Sequence, residues 1–359
     1  MESKLLHNGY LADHARWARK PKGLVGLEIE MEGGPWPVDG LGNWAFHTDQ
    51  SLRASKVTGI AGAEYVLAQP VNLLSVREQL DTLKSILEKT KSRLEWSYRT
   101  SVHVHLNVQS FSVRHWVSLI VLSTIFEEIL VDIVGRSRAG NKFCLRTSDA
   151  EGAIQNLVDD LRDDVDLHRV ARAENKYAST NFYASFIHGT IEYRSMEGNL
   201  DTALITDWVE TLAGLHNAAQ QFDDPREIVT MFSIEGPDRF LDKFIRNKRF
   251  NRACHDVANY NQMLWNGLRL AQDLAFCIEW EGEVQAPKEP KKKKARIGDI
   301  EVADEPGGLI WGGAAPARDN PGLDRVINEM REEARRRAGN VQLDAAAPAL
   351  HANPEDGDI

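Results

Sequence analysis

Cysteine is scarce in this chain of 359 residues, which contains only Cys144, Cys254 and Cys277. Three widely spaced cysteines without a CxxC pair predict neither a disulfide framework nor a zinc knuckle. They favour reduced thiols, and we therefore expect a cytoplasmic location.

The sequence also lacks a long apolar run and an excess of positive charge. Its longest uncharged apolar run, from Trp116 to Phe126, is about half a membrane span, and we interpret it as a buried helix. The N-terminal segment lacks the apolar core of a signal peptide.

With 43 basic and 53 acidic residues the net charge is −10, which disfavours a nucleic-acid scaffold. The 42% hydrophobic content predicts a soluble globular protein with a sizeable core.

Composition changes sharply after about Glu281. Residues 282–359 are rich in proline, glycine and charge and lack sustained periodicity, which predicts a mostly disordered tail. Apolar residues recur at helical spacing within 322–339 and predict one short helix there. The lysine run at 291–294 is interpreted as a solvated linker, with anion or nucleic-acid contact as the alternative. We expect one folded domain over residues 1–281.

Strand and helix patterns alternate in that domain, which predicts a mixed α/β architecture. Strands are predicted at 24–32, 44–48, 63–68 and 101–109. Helices are predicted at 73–94 and 112–134, the second with Ser112 as its N-cap and Gly135 as its stop. Residues 180–186 and 190–197 are predicted to form a hairpin around Gly189, which can take a positive φ. Helices are then expected to dominate residues 201–281.

The first strand separates two kinds of side chain, because successive residues of a strand point to opposite faces. One face is apolar, whereas the other carries Glu28, Glu30 and Glu32 about 6 to 7 Å apart. Such carboxylates repel one another unless cations lie between them, and oxygen ligands at this spacing suit Mg²⁺. The alternative is an amphipathic strand whose glutamates face water.

Two further strands repeat this pattern. His103 and His105 share one polar face, where imidazoles can bind a metal, a phosphate or a carboxylate. The alternative is a purely structural polar face. Glu192 and Arg194 share a face of the last strand, and arginine grips carboxylates or phosphates in two-pronged fashion. A simple cross-strand salt bridge is the alternative there.

Weaker candidates lie between these strands. Asp49 and Ser51 indicate a turn when taken alone, and Glu64 is a single acid on a short strand. Three polar residues that precede the last strand are candidates for an anion contact, although such residues are commonly solvated: Arg172, Lys176 and Asn181.

The combination is more specific than its parts, because a sheet collects these faces into a single surface. Four carboxylates and two imidazoles on one surface are costly without bound cations. In order along the chain, the motifs resemble those of the amidoligase branch of the carboxylate–amine ligases, related to glutamate–cysteine ligases and glutamine synthetase. The resemblance covers about residues 20–215. It rests on GxExE at 26–30, D-x-S at 49–51 with an acid at 64, HVH at 103–105, and E-[FY]-R at 192–194.

This resemblance implies a fold, a reaction and a set of site residues. The implied fold is α+β and glutamine synthetase-like, with a mainly antiparallel sheet, an acidic concave face and helices on the other side, in a catalytic domain over residues 1–281. The implied enzyme uses ATP and Mg²⁺ to activate a carboxylate as an acyl phosphate, which an amine attacks to form an amide or isopeptide bond. Its partners are small-molecule or peptide substrates, with no membrane. The implied metal ligands are Glu28, Glu30, Glu64, His103 and Glu192; Arg194 and His105 are catalytic candidates, and Asp49, Ser51, Lys176 and Asn181 are nucleotide-side candidates.

Two other classes of protein compete with this interpretation. A metal-dependent hydrolase is the first, because HxH strands occur in amidohydrolase barrels and in cupins. The barrel expects further metal-binding histidines downstream, and the cupin expects a glutamate soon after HxH, where this chain has residues 106–109, Leu-Asn-Val-Gln. The second is a binding or structural protein on a ligase-like fold, which the intact acids on all three strands disfavour.

Overall fold

The computed structural model describes residues 6–282, apart from gaps at 15–16, 18–22, 139, 143, 165–166 and 168–176. The tail predicted at 282–359, with its helix at 322–339, lies outside the described residues except for Gly282. Arg172 and Lys176 also lie outside them. The described residues all belong to one compact unit.

The described part of the chain contains a sheet of seven strands, and every pair of neighbouring strands in it is antiparallel. The strand order is β2-β3-β1-β5-β7-β6, and β4 pairs with the far end of β1. This confirms the predicted mixed architecture and its mainly antiparallel sheet. The strands are β1 (Val25–Gly34), β2 (Trp44–Thr48), β3 (Ala63–Leu67), β4 (Arg93–Glu95), β5 (Ser101–Asn107), β6 (Thr180–Asn181) and β7 (Thr190–Glu197).

Helices pack against the apolar face of the sheet. The longest is buried along nearly its whole length, contacts β7 and packs on the last helix, which confirms that the apolar run at 116–126 is a buried helix. None of the described helices has both the length and the apolar character needed to span a membrane. The helices are α1 (Leu11–His14), α2 (Val76–Lys89), α3 (Val113–Val134), α4 (Glu151–Arg162), α5 (Ala184–Ile187), α6 (Thr202–Ala219), α7 (Arg226–Phe244), α8 (Lys248–Asp256) and α9 (Tyr260–Ala275).

Both ends of α3 follow the sequence prediction. Ser112 caps its first turn, because the Ser112 hydroxyl accepts a hydrogen bond from the His115 backbone N–H at 3.1 Å. At the other end, a Cβ on Gly135 would lie 1.8 Å from the Ser195 carbonyl oxygen in β7. Glycine therefore stops the helix by allowing a close approach of two backbones, and not by taking a positive φ. The short 3₁₀ turn Arg136–Arg138 that follows is held against β7.

Two predicted elements were wrong in part. The helix predicted over 73–94 ends at Lys89, and Lys91 has a positive φ of 54°. The chain then turns back as β4, in which Glu95 pairs with Glu32 of β1. Pairing with the long β1 strand therefore overrides the helical pattern of residues 90–94.

The hairpin predicted around Gly189 was also only partly right. Gly189 has the expected positive φ of 73°, and β7 follows it. Of its predicted partner strand, only β6 is extended, and residues 184–187 form the helical turn α5. This turn is fixed by tertiary contacts, since the Trp116 indole donates to the Ser185 hydroxyl at 3.0 Å and its ring packs edge-on against Phe186.

Candidate active site

The strand register brings the predicted acidic and histidine side chains onto one face of the sheet. Glu28 of β1 lies opposite His103 of β5, Glu30 lies opposite Glu64 of β3, and His105 lies opposite Glu192 of β7. None of these six side chains is more than 8% exposed. Four neighbouring strands therefore build one buried cluster of four carboxyl groups and two imidazoles, which we call the acid–histidine cluster.

His103 lies at the centre of this cluster. Its Nδ1 atom is 2.9 Å from Glu28 Oε2 and 3.4 Å from Glu192 Oε1. On the other side of the ring, Nε2 is 2.7 Å from the Ser101 hydroxyl and 3.9 Å from Glu30 Oε1. Ser101 also donates a hydrogen bond to Glu30. The imidazole thus links the carboxyl groups of β1 to that of β7.

His105 lies beside His103 on the same face. Its Nε2 atom is 3.1 Å from Glu28 Oε1 and 3.9 Å from Glu192 Oε1. Its Nδ1 atom is 3.0 Å from the Thr190 hydroxyl, which fixes the orientation of the ring. The His188 ring packs edge-on against the His105 ring, with 6.4 Å between the ring centroids. His105 therefore positions Glu28 from the side opposite to Glu30.

Arg194 supplies the positive charge next to the cluster. Its Nη1 donates to Glu192 Oε1, and the Asn181 amide donates to Glu192 Oε2 at 2.7 Å. Both oxygens of Glu192 are thus held in place. Arg194 Nε is buried without a hydrogen-bond partner among the described residues. The predicted salt bridge between Glu192 and Arg194 is present, and it leaves part of the guanidinium unused.

The ligand atoms of the cluster are spaced for divalent cations. Glu28, His103 and Glu192 offer one group of three ligand atoms, and Glu30, Glu64 and His103 offer a second. Within each group the atoms lie within 4.8 Å of one another. Mg²⁺ is bound by carboxylate oxygens together with water and substrate phosphates. Both groups fit such an ion, and they share His103.

Burial and neighbouring charges shift the pKa values of the carboxyl groups in the cluster. Burial raises the pKa of Glu28 well above its ordinary value, and the charge of Glu192 adds to this rise. Burial also raises the pKa of Glu64, where Glu28 adds to the effect, and raises that of Glu30 to about 7. For Glu192, burial is again the largest effect and acts in the same direction, but Arg194, His105 and the Asn181 hydrogen bond together outweigh it, and the pKa falls. Without a cation, the cluster therefore retains protons that ordinary glutamates have lost.

The histidine pKa values shift in the direction that suits metal binding. Burial lowers the pKa of His103 well below its ordinary value, and the nearby charge of Arg194 contributes. Burial also lowers the pKa of His105, and it lowers that of His188 to about 4. Neutral imidazole is the form that binds metals. These rings are therefore uncharged at neutral pH and compatible with a cation beside them.

The remaining predicted residues border the cluster or lie outside the described residues. Asp49 forms a tight turn in which its two carboxylate oxygens accept hydrogen bonds from the Ser51 backbone and hydroxyl, each at 2.7 Å. Its negative charge contributes to the raised pKa of Glu30 and Glu64, whose largest cause is burial, so this turn lies near them. Lys176 is outside the described residues.

Glu32 shares the polar face of β1 but has a different role. Its Oε1 atom accepts a hydrogen bond from the Arg53 backbone N–H at 2.8 Å and another from the Ser97 hydroxyl at 3.2 Å. Glu32 thus anchors two loops beside the cluster, and it belongs to neither group of ligand atoms.

Two residues near the cluster were missed as site candidates from the sequence. Ser101 lies two residues before His103, so alternation puts it on the same face of β5, where it contacts Glu30. Arg138 is buried near Glu30, because its Nη1 donates to the Thr100 carbonyl at 2.9 Å, immediately before Ser101. The sequence signal for Arg138 was weak, since it is one arginine in a polar stretch after α3.

Comparison with known families agrees with the site. A family model described as "Putative amidoligase enzyme" matches residues 35–216. The match covers just over half of the chain, and the protein belongs to this amidoligase family, which indicates a ligase. The matched range includes β5 and β7 but begins after Glu28 and Glu30, so these two glutamates are assigned from geometry. A search of curated proteins found no match.

Proposed function

We propose that this protein is an ATP-dependent carboxylate–amine ligase with a glutamine synthetase-like fold. In this reaction ATP converts a carboxylate to an acyl phosphate, and an amine then attacks it to form an amide or isopeptide bond. The acid–histidine cluster carries the proposal. A buried site with four carboxyl groups and one adjacent arginine suits a reaction that brings a triphosphate and a carboxylate together.

The two groups of ligand atoms would hold Mg²⁺, with Glu28 and Glu192 in one and Glu30 and Glu64 in the other. A neutral imidazole has one free nitrogen lone pair, so His103 would be a ligand in only one of the two groups at a time. The raised pKa values of Glu28, Glu30 and Glu64 support this, because neighbouring carboxylates are unfavourable unless a proton or cation separates them. When bound, Mg²⁺ neutralises phosphate charge and stabilises the phosphoryl-transfer transition state.

Residues around the metal ligands have their own tasks. Arg194 is bonded to Glu192 through Nη1, and its buried Nε has no hydrogen-bond acceptor among the described residues, so it is suited to bind the transferring phosphoryl group or the substrate carboxylate. Asn181 keeps Glu192 in one orientation, and His103 does the same for Glu28 through the hydrogen bond between its Nδ1 and Glu28 Oε2. The turn at Asp49 and Ser51 borders the cluster and is proposed to line the nucleotide or amine pocket.

The architecture favours a ligase over the hydrolase alternative. Amidohydrolase barrels are built from parallel strands that alternate with helices. Here the HxH strand β5 lies between β1 and β7 in a sheet whose described pairings are antiparallel. The glutamates of its two neighbours complete the cluster, and the family match independently indicates a ligase.

The direct test is isothermal titration of ATP into the full chain, with and without Mg²⁺. The variant is Glu28→Gln with Glu30→Gln, which removes two charges and keeps side-chain size. Glu32→Gln is the matched control, since it lies on the same strand and face but outside both groups of ligand atoms. We expect binding by the wild type and by the control only when Mg²⁺ is present, and no binding by the double variant.

The outcome separates the possible explanations. Loss of binding in a double variant that remains folded, with binding kept by the control, supports a metal–nucleotide site at the cluster. If the wild-type protein binds no ATP under any of these conditions, the proposed function is refuted. Equal binding by the wild type and the double variant places the nucleotide elsewhere.

A further inference from the structure

Arg138 is a second buried arginine near the acid–histidine cluster. Its side chain is 1% exposed. The turn that carries it is fixed at two points, because Gly135 meets the Ser195 carbonyl of β7 and Arg138 Nη1 donates to the Thr100 carbonyl at 2.9 Å. Ser195 directly follows Arg194, and Thr100 directly precedes Ser101. Arg138 is therefore held at the end of the cluster where Ser101 bonds Glu30.

Much of the hydrogen-bonding capacity of Arg138 is unused by the protein. Nε and Nη2 are buried and form no hydrogen bond within the described part of the chain. Besides the Thr100 carbonyl, the guanidinium interacts with the Cys144 thiol, which is only a weak hydrogen-bond acceptor. Buried guanidinium donors are costly to leave unsatisfied, because they have lost their water. An arginine kept in this state points to a ligand that completes its bonds.

The surrounding charges indicate what that ligand is. Burial lowers the pKa of Arg138, Cys144 and the negative charge of Glu30 oppose this effect, and the positive charge of Arg194 adds to it. Two buried cations whose charges interact repel each other, and an anion between them offsets this repulsion. Arg194 likewise has a buried Nε without a hydrogen bond. Together the two guanidinium groups present unused donors of the kind that binds phosphate oxygens.

We propose that Arg138 is a phosphate-binding residue of the active site, and that its free Nε–H and Nη2–H groups bind the terminal phosphoryl group of ATP opposite Arg194. This inference rests on the proposed function and adds to it a second arginine that contacts the group to be transferred. Arg138 would recognise the triphosphate by its last phosphate, which ADP lacks.

The test compares Mg·ATP and Mg·ADP binding by isothermal titration to the full chain. The variants are Arg138→Gln, which removes the charge, and Arg138→Lys, which keeps the charge but loses the planar fork. The matched control is Arg136→Gln in the same turn, where the side chain is 79% exposed and pairs with Asp132. We expect Arg138→Gln to weaken Mg·ATP binding by about tenfold or more, with a smaller effect on Mg·ADP, an intermediate effect of Arg138→Lys, and no effect of Arg136→Gln.

The comparison of Mg·ATP with Mg·ADP distinguishes a phosphate-binding role of Arg138 from a purely structural one. A purely structural Arg138 would change both affinities alike or leave both unchanged, and either result overturns the inference while leaving the proposed function in place. If Arg138→Gln does not fold, the Arg138→Lys comparison decides between the same two results. A wild type that binds no Mg·ATP removes the proposed function itself, and this inference with it.

Discussion

Replacing Glu30 by glutamine should stabilise the metal-free protein at neutral and alkaline pH. Burial raises the pKa of Glu30 from an ordinary value of 4.5 to about 7, so the ionised form is disfavoured in the folded state. Each pH unit between these values corresponds to about 1.4 kcal/mol, and the rise thus amounts to about 3 kcal/mol. Glutamine has nearly the same shape, keeps an acceptor for Ser101 and carries no charge to bury.

The gain should depend on pH in a defined direction. Below the unfolded pKa of about 4.5, Glu30 is protonated in both states and the substitution changes little. Between that pH and about 7, the unfolded chain loses a proton that the folded protein retains, so the wild type loses stability as pH rises. Above 7 the difference is complete, and the variant is favoured by about 3 kcal/mol.

The assay is chemical denaturation of the full chain in EDTA at several pH values from 5 to 8. Glu32→Gln is the control, and we expect it to lose stability throughout, because it weakens a charge-assisted bond to the Arg53 backbone. If Glu30→Gln destabilises the protein equally at pH 5 and pH 8, the ionised Glu30 carboxylate stabilises the fold. The claim that its charge is unfavourable without a bound cation is then refuted.

Three further outcomes follow from the same geometry. Mg²⁺ should raise the unfolding temperature more at pH 8 than at pH 6, because it competes with the protons retained by the cluster; an equal rise at both pH values in a thermal melt would contradict this. Arg194→Gln should cost about 3 kcal/mol in EDTA, since it leaves Glu192 buried without its cation, and unchanged denaturation would count against that pairing. Gly135→Ala should cost about 3 kcal/mol or more, because its Cβ would meet the Ser195 carbonyl at 1.8 Å. Gly152→Ala, with open space at the new Cβ, should be close to neutral in the same denaturation series, and equal effects would refute the packing argument.

The strands of the cluster were predictable from the sequence because alternation is a local property. A residue's neighbours two positions away decide which face it occupies, and Glu28 and Glu30 of β1 and His103 and His105 of β5 satisfied that rule on two strands. In an antiparallel sheet, the pairing of β1 with β5 and of β5 with β7 is enough to bring the polar faces of these strands together. The family match then agreed with the class predicted from the motif series.

Other features depend on contacts between residues distant in the chain. Residues 93–95 carry a pattern compatible with helix, and only pairing with the end of β1 makes them a strand. Residues 184–186 were predicted to be extended, but Trp116 binds Ser185 and favours a helical turn. Arg138 reaches the site because α3 stops at Gly135 against the backbone of β7, and no local pattern encodes that approach. The sequence therefore predicted the acidic face well and its surroundings less well.

The central claim is that the acid–histidine cluster binds divalent cations, and a crystal soaked in Mn²⁺, which substitutes for Mg²⁺ at oxygen-rich sites, tests it most directly. We expect anomalous scattering peaks within ligand distance of Glu28 and Glu192, and of Glu30 and Glu64, with His103 as a ligand of one of the two ions. We also expect these peaks to vanish in the Glu28→Gln, Glu30→Gln variant. Peaks only at other carboxylates, or no peaks in a crystal that contains Mn²⁺, would contradict it.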